Sequence, residues 1–168
     1  MSKRTRYLAH AAIIAALYAV LTHMQNILFP GSATWAIQLR LSEALCVLAF
    51  FTPAAIPGLT IGCLVFNLTY AAALPLDWIA GSLATLLAAW AMYRIRRVTL
   101  LGLPIPGLLM PALANSILVG WELTAYIGGA FRLNALYVAI GELIVLLAAG
   151  TVVYRVMRRR RLDVLLFG

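Results

Sequence analysis

Three glutamates, two asparagines and an arginine stand in stretches that otherwise read as apolar core. They are Arg40, Glu43, Asn67, Asn115, Glu122 and Glu142. Such side chains are costly inside apolar segments, and their positions are functional candidates by default. Carboxylates only accept hydrogen bonds, a guanidinium only donates, and carboxamides do both. Arg40 can pair with Glu43 at i,i+3 spacing on a helix, and Arg132 in a nearby loop can pair as well. Carboxylate still exceeds cation. The surplus calls for a water-filled cavity, a proton, or a ligand rich in donors. The plainer alternative is interhelical hydrogen bonding that merely holds a bundle together.

The elements that must position these groups follow from composition. Of 168 residues, 64% are hydrophobic and 11% charged, with a mean hydropathy of +0.99. This marks an integral membrane protein, sized for one helical domain over residues 1–168. Six apolar spans are expected, over residues 7–28, 37–51, 59–73, 78–93, 108–126 and 133–156. Loops carry the breakers: residues 25–36 with Pro30 and Gly31, residues 52–58 with Pro53 and Pro57, a turn at Pro75, Leu76 and Asp77, then Gly102, Pro104, Pro106 and Gly107, then Gly128 and Gly129. The first apolar run is too long for a signal-peptide core and ends in no clean cleavage site, so it reads as a retained span. Trp35 suits a membrane–water interface.

The net charge of +8 is concentrated. Eleven of 13 Lys and Arg residues fall at Lys3, Arg4 and Arg6, at Arg94, Arg96 and Arg97, and at Arg155, Arg158, Arg159, Arg160 and Arg161. Clusters at the ends of apolar spans are orientation signals with some attraction for anionic lipid, not a nucleic-acid footprint. Six spans put all three clusters on one side. That side is expected to be cytoplasmic, with both termini inside a multi-pass plasma-membrane protein.

Depth then groups the polar residues. At 1.5 Å per residue, Glu43 and Asn67 lie about 9 Å from the outer face, Glu122 roughly 6 Å and Glu142 roughly 13 Å. Three carboxylates and an amide from four helices thus share the outer half of the membrane, with Asn115 deeper on the face of Glu122. Tyr70, Trp78, Trp121, Tyr126 and Tyr137 lie near that level. An aromatic belt accounts for most, and one such as Tyr137 can instead stack on a planar ligand. In the first span Ala11, Ala15 and Ala19 recur every fourth residue, as do Ala12 and Ala16. That ridge allows close helix approach, within the bundle or to a partner.

Other chemistries find little support. His10 and His23 lack a His or Cys partner at ligand spacing, so no metal is expected. Cys46 and Cys63 read as small packing residues. No nucleophile–base pair, Walker loop or nucleotide fingerprint is present, so neither an enzyme nor a cofactor is expected.

The segments Arg40-x-Ser42-Glu43-Ala44-Leu45, Phe51-Thr52-Pro53-Ala54-Ala55-Ile56-Pro57-Gly58 and Gly62-Cys63 through Asn67-Leu68 closely resemble the QueT family. The likeness continues through Gly81-Ser82-Leu83-Ala84-Thr85-Leu86, Ile117-x-Val119-Gly120-x-Glu122-Leu123 and Ala135-Leu136-Tyr137-Val138-x-Ile140-Gly141-Glu142. These are substrate-binding (S) components of energy-coupling factor (ECF) transporters. The resemblance implies an all-α, six-helix transmembrane bundle with an outward-facing site. It implies partners: a coupling transmembrane protein and two ATPase subunits, with toppling of the S component to release substrate inside. It also implies that small first-helix residues, here Ala11, Ala15 and Ala19, dock the coupling protein. The implied substrates are queuosine precursors, 7-aminomethyl-7-deazaguanine or queuine. The residues that type and depth offer to hold them are Arg40, Glu43, Asn67, Asn115, Glu122, Tyr137 and Glu142, with Arg40 either the partner of Glu43 or a gate at the outer mouth. Leu48-Ala49-Phe50 departs from the family's frequent Leu-Pro-Phe, and Ala114-Asn115-Ser116 departs slightly from its Asn-Ala. The alternatives are an S component for another vitamin-like micronutrient and a stand-alone proton-coupled carrier.

Overall fold

The long apolar runs form helices, as their composition dictates. A computed structural model describes residues 2–32 and 37–167, which leaves Trp35 outside the described residues. The helices are α1 (Lys3–Leu28), α2 (Ala55–Thr69), α3 (Asp77–Arg94), α4 (Ile105–Tyr126), α5 (Phe131–Val145), α6 (Thr151–Arg159) and α7 (Leu162–Phe167). Ser2 caps α1 by accepting from the Thr5 amide at 3.1 Å. A five-residue π turn, Leu146–Gly150, joins α5 to α6 without a break. Among the described residues, three helices are long and apolar enough to cross a membrane: Lys3–Leu28, Ile105–Tyr126 and Phe131–Arg159.

The expected second span, residues 37–51, is not an α-helix. Residues 38–40 form no regular structure and lead into a ten-residue 3-10 helix, Leu41–Phe50. Runs of 3-10 helix this long are uncommon. Irregular backbone at membrane depth is tolerated only where protein surrounds it, and here protein does. The helices pack in chain order, α1 on α2, α2 on α3, α3 on α4 and α4 on α5, while the 3-10 helix touches each of α1 to α6. It is the centre of the bundle, and among the described residues α1 and α5 make no direct packing contact.

Two of the expected loops are partly helical. Pro57 and Gly58 fall in the first turns of α2, and Pro106 and Gly107 in the first turn of α4. Proline costs little there because the first amides of a helix have no intrahelical acceptor.

The alanine ridge of α1 is used inside the bundle. A Cβ on Gly58 would stand 2.8 Å from the Ala11 carbonyl oxygen, and one on Gly62 2.7 Å from that of Ala15. The two glycines, four apart, bring α2 backbone against α1 backbone. Ala11 and Ala19 are buried and Ala15 is half-buried, whereas Ala12 and Ala16 are exposed. Of the two spacings in α1, the row at Ala11, Ala15 and Ala19 faces α2, and the row at Ala12 and Ala16 faces outward.

The outside is apolar and the inside is not. Ile13, Leu17, Val20, Trp90, Ile117 and Trp121 are exposed, while Thr22, Gln25, Arg40, Glu43, Asn115 and Glu142 are buried. This inverts the order of a water-soluble domain and suits one solvated by lipid. At one end, Arg96 and Arg97 share a cavity wall with Arg158, and His10 on α1 meets Phe167 on α7 edge-on at 5.2 Å. The three basic clusters therefore gather at the same end of the bundle.

The glycine contacts set a test. Gly62→Leu is expected to destabilise the protein by about 1–3 kcal/mol through overpacking, seen as a lower thermal midpoint in detergent. Ala12→Leu, on the outward row, is expected to stay within about 0.5 kcal/mol.

Candidate functional site

A helical stripe on α1 positions the site. Tyr18, Thr22 and Gln25 recur at i, i+4 and i+7, and all three are buried. Each reaches toward the segment that carries Arg40 and Glu43. The Gln25 amide nitrogen donates to the Leu39 carbonyl, and its oxygen accepts from the Leu41 amide at 2.8 Å. One carboxamide thereby satisfies both backbone groups flanking Arg40, which a helix would have paired internally. The Thr22 hydroxyl bonds that of Ser42 at 2.6 Å, and the Tyr18 hydroxyl donates to Glu43 Oε1. From the other side, the backbone of Gln38 lies so close to α5 that a Cβ on Gly141 would stand 2.5 Å from the Gln38 oxygen. Only glycine admits this approach, and the next residue is Glu142.

The result is one buried cluster. Four of the chain's five acidic residues, Glu43, Asp77, Glu122 and Glu142, are buried. Glu43, Asp77, Glu122 and Glu142 all lie within electrostatic reach of the buried guanidinium of Arg40. Arg40 lies 5.8 Å from the centroid of the Phe66 ring and reaches the Cys63 sulfur at 3.8 Å. Glu43 Oε2 accepts from the Cys46 thiol at 3.0 Å. The two cysteines are free and buried, and they serve the cluster as polar partners as well as filling space. Glu142 Oε1 accepts from Asn115 Nδ2 at 2.9 Å. Asn67 Nδ2 donates to the Asp77 carbonyl at 2.7 Å. Room for Asn67 comes from Gly81, where a Cβ would stand 2.9 Å from that nitrogen.

Several acceptors have no donor among the described residues. These are both carboxylate oxygens of Glu122, Oε2 of Glu142 and Oδ1 of Asn67. Glu122 faces the Asp77 carboxyl, and Asp77 accepts from the Leu74 amide at 2.8 Å. Buried polar groups are nearly always satisfied, and an unpaired carboxylate is among the most costly exceptions. Such an arrangement suits a small, donor-rich, cationic molecule.

Six of the seven residues singled out from sequence lie in or beside this cluster: Arg40, Glu43, Asn67, Asn115, Glu122 and Glu142. Tyr137 does not. It is 40% exposed on the outside of α5, with Trp78, Trp121 and Tyr126, as a belt residue would be. Tyr70 stacks on Phe66 at 5.2 Å. Sequence reasoning missed Asp77, taken for a turn residue, and the α1 stripe of Tyr18, Thr22 and Gln25. Both left a signal: Asp77 is one of only five acidic residues, and the stripe keeps helical spacing in an apolar span.

An all-helical bundle with an apolar exterior and a charged interior defines a membrane helical protein. The chain belongs to the QueT transporter family, whose model matches residues 8–159, and it is thereby a membrane transporter component with a transport role. No curated protein and no solved structure matches it.

The Gln25 contacts generate a further expectation. Gln25→Met keeps the side chain's length and removes the amide, leaving the Leu39 carbonyl and Leu41 amide unpaired. The cost is expected to be about 1–3 kcal/mol, with hydrogen exchange accelerated at Leu41 rather than across α1.

Proposed function

We propose that this protein is the S component of an ECF-type importer and captures a queuosine precursor. The observation that carries the reading is the excess of buried carboxyl: four carboxyls around one guanidinium, with both oxygens of Glu122 lacking a donor among the described residues. The chemistry of a 7-deazaguanine complements this set. Its N1–H and exocyclic amine form a two-donor edge that one carboxylate accepts, as at Glu122. Its O6 takes a donor from an asparagine or Arg40. The aminomethyl cation, or the secondary amine of queuine, pairs with a second carboxylate such as Glu142. The deazapurine reading also agrees with the family to which the chain belongs.

In this proposal the bundle crosses the plasma membrane six times with both termini cytoplasmic. The 3-10 helix spans about 20 Å at 2.0 Å per residue, and α2 about 22 Å at 1.5 Å per residue. These two short spans lie against longer neighbours. A separate coupling protein and two ATPase subunits energise release, and the S component topples to deliver substrate inside. Docking falls on the outward side of α1, where Ala12 and Ala16 are exposed beside the ridge of Ala11, Ala15 and Ala19.

Titration calorimetry on the purified protein tests the substrate. Both 7-aminomethyl-7-deazaguanine and queuine are expected to bind, and absence of heat and of any thermal shift overturns the assignment. Glu122→Gln and Glu142→Gln are each expected to weaken binding by about 1.5–3 kcal/mol, the range for a hydrogen bond to a charged group. Uptake by liposomes holding this chain alone would favour a stand-alone carrier instead.

A further inference from the structure

We propose that the arginine-lined end of the bundle holds the phosphate headgroup of an anionic phospholipid in a specific site. The ends of α3 and α6 converge there on two adjoining cavities. Arg96, Arg97 and Arg158 line the first, of about 360 Å³. Arg155, Arg158 and Arg159 line the second, of about 410 Å³. Thr99, Tyr154 and Arg158 belong to both. The walls are held in place. Tyr154 stacks on Phe51 at 5.5 Å and meets Phe50 edge-on at 5.8 Å. Arg96 donates to the Tyr93 carbonyl at 2.6 Å and lies 4.0 Å from the centroid of the Tyr93 ring.

Charge here is not balanced from within. Four of the five acidic residues are committed to the buried cluster, and the fifth, Asp163, reaches Arg158 at 3.4 Å. Five arginines thus surround the two cavities with one carboxylate beside them. Guanidinium forks match phosphate oxygens in pairs, and basic pockets between membrane helices suit anionic headgroups.

The adjoining loop points to a lipid rather than a free anion. Leu100 and Leu103 exchange backbone hydrogen bonds at 2.8 and 3.0 Å. Leu101 and Gly102 form the tip with positive φ values of 52° and 75°. Leu101 is 92% exposed. A leucine in a left-handed conformation and fully exposed is doubly unfavourable in water. Beside a headgroup site the same side chain reaches acyl chain, and its exposure becomes burial.

Native mass spectrometry of the delipidated full chain in neutral detergent tests the site. Phosphatidylglycerol is expected to give one saturable adduct that phosphatidylcholine does not give and that millimolar inorganic phosphate does not displace. Arg97→Gln with Arg158→Gln is expected to weaken it about thirtyfold, from two basic contacts near a membrane surface. Lys3→Gln with Arg4→Gln, an equal charge loss away from the cavities, is expected to change it less than about threefold if the effect is local. Asp163→Asn is expected to tighten binding, a gain that misfolding does not mimic. Equal loss in both double variants, equal binding of the two lipids, displacement by phosphate, or no gain from Asp163→Asn would each overturn the proposal.

Discussion

A charge buried in an apolar medium must be partnered, and the architecture of this protein turns on how that is done around Arg40. The idealised cost of moving an ion out of water is of order 20 kcal/mol, and several kcal/mol remain after relaxation. A lone guanidinium in this interior would therefore overwhelm the stability of a small domain. Here four carboxyls, from the 3-10 helix, α3, α4 and α5, lie within its reach. The guanidinium serves them in turn, since carboxyls crowded together without a cation would repel one another. Helices far apart in the chain are thereby tied to one point.

Holding that point requires backbone that is not helical. A regular α-helix through residues 37–50 would satisfy its own amides. Here the Leu39 carbonyl, before the 3-10 helix, and the Leu41 amide, at its first residue, instead pair with the Gln25 carboxamide of α1. The entry of this segment is closed in by Gly141 on α5, just as Gly58 and Gly62 draw α2 onto α1. Close packing and polar partnering thus act together, and each limits how far the other can relax. The π turn after Glu142 fits the same pattern, since such distortions often accompany functional positions.

Charge is also segregated along the bundle. The buried cluster takes nearly all of the chain's acid, and the basic residues gather at one end. A membrane protein gains from this division twice. Basic ends of this kind resist translocation and attract anionic headgroups. The acid-rich interior is what the proposed substrate reading rests on. With so few charged residues, each sign is spent almost wholly on one task.

Much of this was legible in the residues themselves. The helical class follows from long apolar runs, since unsatisfied backbone is prohibitive in lipid. Glu43, Glu122, Glu142, Asn67 and Asn115 stood out by type, as polar groups in apolar stretches whose cost falls when they converge. What only the tertiary structure decided was which neighbours they have. Asp77 looked like punctuation after Pro75, and its burial beside Glu122 depends on how α3 leans on α4, which local spacing does not specify. Tyr137 is exposed on the outside of α5, away from the cluster. The apolar stretch at residues 37–51 passed for an α-helix because its composition suits either backbone, and contacts with Gln25 and Gly141 accompany the extended and 3-10 form. Ala11, Ala15 and Ala19 declared a close approach without declaring to what. The two glycines of α2 answer that for the bundle, because pattern in a single strand of sequence encodes a surface, and only packing assigns its partner.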